Sequence, residues 1–203
     1  MRRTKEDTEI TRLRILDAAE KLFCDQGYAS AKMNEIARMV GVTKGAIFWH
    51  FESKAALFEA VFKRSVARIN HIFEATFSTH EPILEKCRTV LLQTSKDRAF
   101  EVLLALGSSD TEALPQEMLI SIHAGITGIL ESARERLEYA KKNGELAPDT
   151  DVFAILSPFI MVMSGFGKMR EVKQILGGVA GKIDGDVAID MLFKGLFSLQ
   201  TKQ

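Results

Sequence analysis

Apolar residues recur at intervals of three and four along nearly the whole chain, and no stretch alternates with a period of two between turn signals. That pattern predicts an all-α protein, without internal repeats or low-complexity tracts. A first helix is expected from about Thr8 to Asp25, burying Ile15, Leu16, Ala19, Leu22 and Phe23, with Gly27 placed to end it. Met33, Ile36, Ala37 and Val40 lie on one face of a short second helix that stops at Gly41. Thr43 then reads as the N-cap of a third helix, Lys44 to about His50, with Val42 and Ile47 as its hydrophobic staple. Ser53 caps a fourth helix carried to about Phe77, which at 1.5 Å per residue is roughly 35 Å long and can connect two domains.

Further along, Pro82 opens a helix that ends before Lys96-Asp97, and a shorter apolar segment spans Phe100 to Leu106. Pro115 opens the longest helix, ending near Asn143-Gly144. Charges crowd its last third (Glu131, Arg134, Glu135, Arg136, Glu138, Lys141 and Lys142), which suits a solvated face laced with pairs four residues apart. From about Thr150 to Met169 the chain is apolar nearly all round, so that helix demands burial on both sides, and Pro158 should kink it. Gly177, Gly178, Gly181 and Gly185 mark a mobile loop before a final helix, Val187 to about Leu199.

Composition adds limits rather than direction. With 203 residues, 46% hydrophobic and 27% charged, the chain is an ordinary folding sequence. Its net charge is zero, and the first 64 residues carry 12 Lys and Arg against 9 Asp and Glu, so any claim on nucleic acid must rest on local geometry. Cys24 and Cys87 are too few and too far apart for a disulfide framework or a zinc site, and read as reduced thiols in a cytoplasmic protein. His71, His80 and His123 show no metal spacing. No apolar stretch follows Arg2 and Arg3, so no signal peptide is expected, and no run of 18 apolar residues is present to span a membrane.

The sequence offers no catalytic residues, no metal ligands and no cofactor. Gly177-Gly178-Val179-Ala180-Gly181-Lys182 has part of the spacing of a phosphate loop. It is one residue short, Ile183 stands where Ser or Thr would hold magnesium, and no strand precedes it. Neither a Ser-His-Asp arrangement nor paired carboxylates are recognisable, so an enzyme is the weaker reading.

The window from Met33 to His50 is the informative one. Two helices that pack at a steep angle need a small residue where their backbones approach, and Ala37 supplies it. They need a residue tolerant of positive φ in the turn, which is Gly41, and an aliphatic side chain that pins the second helix to the core, which is Ile47. These are the steric demands of a helix-turn-helix that reads duplex DNA.

The sequences Ile36-Ala37 and Gly41-Val42-Thr43-Lys44-Gly45-Ala46-Ile47-Phe48-Trp49-His50-Phe51, followed by Lys54 and Leu57-Phe58, resemble the signature of the tetracycline-repressor (TetR) family. Arg14-Ile15-Leu16-Asp17-Ala18-Ala19 with Leu22-Phe23 is similar to that family's first helix, and Gly45 to Phe51 most resembles the efflux-pump repressors of its AcrR-like branch. The resemblance covers roughly Thr11 to Phe62. It implies a DNA-binding domain over residues 1–64 and a helical ligand-binding and dimerisation domain over residues 65–203. It also implies a homodimeric repressor released from a palindromic operator by a small hydrophobic effector. An activator of the same fold, or a regulator that ignores ligands, is the alternative.

The candidate DNA-binding residues are Lys32, Thr43, Lys44, Gly45, Ala46, Phe48, Trp49, His50 and Lys54. Thr43 to Ala46 form the leading turn of the reading helix, and Gly45 and Ala46 permit close approach of the backbone. Lys44 can reach guanine or phosphate, and the family role favours phosphate. Thr43 serves as a cap or as a base contact. Trp49 packs on sugar-phosphate or on the fourth helix, and His50 at a helix C-terminus suits a phosphate. Lys54 has the place of a phosphate clamp. Phe48 stands where the family usually has a tyrosine, whose hydroxyl would donate to phosphate. Lys32 replaces the usual Ser or Thr cap of the second helix, so Ser30 or Asn34 must help to start it, or its end frays. Arg2, Arg3 and Lys5 form a DNA-touching arm or a solubilising tail.

By the same carry-over, the effector pocket draws on Phe73, Phe77, Phe100, Leu103, Met118, Ile122, Ile126, Phe159 and Met163. The two-fold interface draws on Phe153, Leu156, Ile160, Leu192 and Leu196.

Overall fold

A computed structural model describes residues 5–104, 114–157, 160 and 185–200, all-helical with no strand among them. Seven helices follow in order: α1 (Lys5–Ser30), α2 (Met33–Val40), α3 (Lys44–His50), α4 (Lys54–Phe77), α5 (Ile83–Lys96), α6 (Arg98–Leu104) and α7 (Gln116–Lys142). Residues 152–157 form α8, and α9 spans Gly185–Gln200. The end of the apolar segment at Ala105 and Leu106, the kink at Pro158 and the glycine-rich stretch up to residue 184 lie outside the described residues.

Helix α1 is longer than the apolar pattern predicts. Glu6 and Asp7 occupy its first turn, where the helix dipole favours negative charge, and the Thr11 hydroxyl donates to the Asp7 carbonyl at 2.8 Å. Gly27 does interrupt it, with φ 79° and ψ 169°, yet the chain coils on for one more short turn to Ser30. Pro82 and Pro115 cap α5 and α7 from just outside the helices, and α6 starts two residues ahead of the predicted segment.

Two cores organise the chain. The first gathers Ile15, Leu16, Ala19 and Phe23 of α1, Ile36 and Val40 of α2, Ile47 of α3, and Phe58, Val61 and Phe62 of α4. It also takes in Val102 of α6, Leu114, and Met118 and Ile122 of α7. The three N-terminal helices therefore do not own a separate core, and the expected boundary after residue 64 falls inside both α4 and this cluster. The second core lies at the far end of the bundle and unites α5, the end of α7, α8 and α9 through Leu84, Leu91, Leu137, Ile155, Ile189 and Phe193. Arg88 to Asp190 (2.5 Å) and Lys96 to Asp186 (2.6 Å) add ion pairs between α5 and α9.

Neither cysteine is in a disulfide. Burial pushes each of them up to about 12, with Glu101 and Glu20 adding to the effect at Cys24.

Where α7 crosses α4, Gly125 sits directly over a ring. A Cβ on Gly125 would lie 2.9 Å from Cε1 and Cζ of Phe62, a ring buried in the first core, whereas one on Gly128 would meet nothing within 4 Å. Gly125→Ala should therefore overpack the crossing and lower stability by about 1–2 kcal/mol despite its better helix propensity. Gly128→Ala should raise stability by up to about 1 kcal/mol. Denaturant titration of the two variants reads this sign difference directly.

Candidate nucleic-acid interface

Helix α2 has a strong apolar face, with Met33, Ile36, Ala37 and Val40 buried, and it ends at Gly41 in the left-handed conformation, φ 74° and ψ 34°. Only a residue without a Cβ takes that conformation at little cost. The turn is closed by Val42 N–H donating to the Ala37 carbonyl at 3.0 Å and Gly41 N–H donating to Arg38 at 3.3 Å. Ala37, the small residue of that face, is 5% exposed.

Thr43 begins α3. Its backbone is extended and its hydroxyl oxygen accepts from Ala46 N–H at 3.1 Å, so the capping role is realised. Ile47 is fully buried, and turning 100° per residue from it puts Gly45 and Trp49 on the opposite side of the helix. Trp49 is 72% exposed and Phe48 40%, so both present apolar surface to solvent. Thr43, Lys44 and Gly45 are exposed, while Ala46 and His50 are half-buried. The structure thus brings Thr43, Lys44, Gly45, Ala46, Phe48, Trp49 and His50 onto one projecting helix. The Lys44 ammonium lies 5.7 Å from the centre of the Phe48 ring, and Trp49 meets the His50 ring edge-on at 4.7 Å.

The flanking cations are placed differently. Lys32 is exposed and supplies the N-cap backbone of α2, but no side chain caps that helix, neither its own nor Ser30 nor Asn34 among the described hydrogen bonds. The end is secured instead by Glu35 N–H donating to the Lys32 carbonyl at 2.9 Å and by Gln26 donating to the Glu35 carboxylate at 3.2 Å. Lys54 donates to the Ala29 carbonyl at 3.1 Å and lies 4.6 Å from the Tyr28 ring centre, pinning the chain after Gly27 to the start of α4. Arg2 and Arg3 lie outside the described residues, and Lys5 is exposed at the start of α1.

What fixes this unit on the bundle was not visible in the sequence. Glu20, 6% exposed at its side chain, is buried between α1 and α4 and accepts from Arg64 and from both terminal nitrogens of Arg68, the latter at 2.6 and 3.1 Å. Arg64 also reaches Asp17 at 2.7 Å, and Arg68 reaches Asp97 at 2.7 Å. Asp97 in turn accepts from Ala99 N–H, at the first turn of α6. The hydrogen bond to Glu20 is the main reason that the Arg68 guanidinium is held above its ordinary value. Arg14 completes the frame by donating to the Val40 carbonyl at the end of α2, 2.9 Å away. The available clue was a carboxylate beside Ala19 in the apolar stripe of α1, matched by two arginines one turn apart on α4.

The pocket and interface candidates whose side chains are described lie at several places in the fold. Met118 and Ile122 are buried in the first core and Ile126 packs against it. Phe73 and Phe77 stack at 6.0 Å near the end of α4. Phe77 lines an open cleft of about 380 Å³ with Lys86, Ser132, Arg136 and Tyr139, and the Arg136 guanidinium lies 5.0 Å over its ring. Phe100 and Leu103 sit on the α6 backbone and Leu192 and Leu196 on that of α9, but their side chains are outside the description, as are Phe159 and Met163 entirely. Leu156 is buried in the second core, whereas Phe153 (63%) and Ile160 (44%) face outward. Among the described residues no group of His, Cys, Asp and Glu could hold a metal, and no helix is long and apolar enough to cross a membrane.

Comparison with known proteins agrees with this geometry. Residues 15–61 match the family described as "Bacterial regulatory proteins, tetR family". The chain is 30% identical to "Probable HTH-type transcriptional regulator ArpR" of Pseudomonas putida, over 95% of this chain and 96% of that protein. It is 29% identical to "HTH-type transcriptional repressor BepR" of Brucella suis, over 82% and 83%. Among solved structures, a transcriptional regulator FadR from Bacillus subtilis in complex with stearoyl-CoA superposes with a TM-score of 0.67 at 19% identity, covering 90% of this chain and 95% of that one.

Two variants test the site. Glu20→Ala would leave two arginines facing each other in a partly buried space, and should cost about 3–5 kcal/mol in a denaturant titration. Lys44→Ala should leave stability within about 0.5 kcal/mol, since Lys44 is exposed. In a fluorescence-anisotropy titration it should weaken duplex binding and, with phosphate as its contact, lower the slope of log affinity against log salt by about one.

Proposed function

The chain belongs to the TetR family of DNA-binding transcriptional regulators, and from that premise we propose that it is a homodimeric repressor released from a palindromic operator by a small hydrophobic effector. The observation that carries the reading is α3, a seven-residue helix that buries Ile47 and projects Lys44, Gly45, Phe48 and Trp49 away from the chain. In a two-fold dimer a pair of such helices set about 34–36 Å apart enters successive major grooves on one side of a duplex. Lys32, His50 and Lys54 flank the helix as phosphate contacts that fix its register, and Thr43 to Ala46 approach the base edges. Residues 1–64 form the reading unit and residues 65–203 the effector and dimer unit, working in the cytoplasm. The outward-facing Phe153 and Ile160 of the α8 region are apolar surface of the kind a partner subunit covers.

Release follows from a shift of population between two arrangements of α4. An effector wedged among the bundle helices beside α7 displaces the crossing at Gly125 and Phe62, tilts α4 and spoils the spacing of the two reading helices. Nearly complete release requires about 10⁴-fold preference of the effector for the tilted form, roughly 5.5 kcal/mol, and partial release needs less. A hydrophobic effector is supported by the apolar and methionine-containing face of α7, and a protein of the same fold is solved with stearoyl-CoA bound.

Genome-wide mapping of bound sites would supply the operator, and anisotropy titrations of the purified protein with it would then be repeated with hydrophobic compounds. A compound that binds the protein tightly should weaken operator binding tenfold or more. Tight binding with unchanged operator affinity contradicts release by effector, and indifference to every duplex offered contradicts the regulator itself.

A further inference from the structure

Side chains that pair with one base edge through two hydrogen bonds are arginine or lysine for guanine and asparagine or glutamine for adenine. From Thr43 to Phe51 the chain has no arginine, asparagine or glutamine, and Lys44 is its one residue of this kind. The Thr43 hydroxyl oxygen is turned inward to accept from Ala46 N–H. Lys44 brings a flexible point charge, and that charge is drawn along the flank of α3 toward the Phe48 ring. Apart from the Trp49 indole N–H and the half-buried His50 ring, what the helix shows outward is carbon, in Gly45, the half-buried Ala46, Phe48 and Trp49, with the two aromatic rings Phe48 and Trp49 its largest exposed apolar surfaces. Only one group on the floor of the major groove is recognised by carbon, the C5 methyl of thymine. Exposed aromatic surface in the free protein is best recovered against a partner of that kind.

We infer that Phe48 and Trp49, with the small residues Gly45 and Ala46 that let them approach, select the operator through contact with thymine methyl groups. Guanine contacts are secondary to these. The inference rests on the operator-binding reading above and adds to it the chemical feature that is read. Lys44 and the flanking cations hold the helix on the backbone, and the methyls decide where it stops.

The test starts from a duplex selected by the full-length protein out of a random library. Every thymine of its half-sites is then replaced by deoxyuridine, which removes only the methyls. In a second duplex every guanine is replaced by 7-deazaguanine, which removes the N7 acceptor. Each methyl lost from contact should cost about fourfold in affinity, so the uridine duplex should bind tenfold or more weakly, and the deazaguanine duplex less than threefold. Phe48→Ala and Trp49→Ala, both at exposed positions, should weaken binding to the thymine duplex and bring the thymine-to-uridine ratio toward one, with unchanged circular dichroism. Equal binding of the uridine duplex, or a larger loss with deazaguanine, overturns the inference while leaving DNA binding intact. A selection that enriches no duplex overturns the operator-binding reading and the inference with it.

Discussion

Seven residues of α-helix do not persist in water alone, because the first turn costs more order than its hydrogen bonds return. Helix α3 exists because Ile47 is fully buried behind it and because Thr43 caps its first turn. That requirement propagates. The core that receives Ile47 is completed by Phe58 and Phe62 of α4, then by Val102, Met118 and Ile122 of α6 and α7. The surface offered to DNA and the helices of the bundle are thus walls of a single packed volume. In an interior at crystal-like density a displacement on one wall is felt on the others.

Charge fixes the register that packing alone would leave free. Glu20 is buried among Arg64 and Arg68, and Asp97 carries the network to the start of α6. Such a cluster is poor evidence for stability, since dry apolar residues could replace it, but it holds two helices at one height and one rotation. The ion pairs at the other end, Arg88 to Asp190 and Lys96 to Asp186, join more exposed side chains and contribute less. The molecule is therefore firmly indexed where α1, α4 and α6 meet, and more weakly tied where α5 meets α9.

Local signals were legible wherever the structure is made locally. The bounds of α2, α3 and α4 follow from an apolar face, a left-handed glycine and two hydroxyl caps, each acting over four or five residues. Helix α1 overran its expected end because Gly27 breaks the helix without ending the coil, while Lys54 and Tyr28 hold the following turn from outside. The start of α2 at Lys32 was legible as a missing cap, but not its substitute, since Gln26 and Glu35 meet across two helices. A domain boundary after residue 64 looked natural from motif content alone. Residues on both sides of that position share one core, because the packing of α1 on α6 and of α4 on α7 spans far more sequence than any periodicity reports. The same long range hid the Glu20 network and the cleft beside Phe77.

The central claim is that the exposed side of α3 is the surface that meets duplex DNA, and the chain holds a single tryptophan, Trp49, on that side. Acrylamide quenching of its fluorescence, measured with and without a saturating selected operator duplex, reads the claim directly. The ring should be freely quenched in the unbound protein and strongly shielded in the complex. Quenching that stays the same while the protein is demonstrably bound to DNA would place the contact elsewhere and contradict the account.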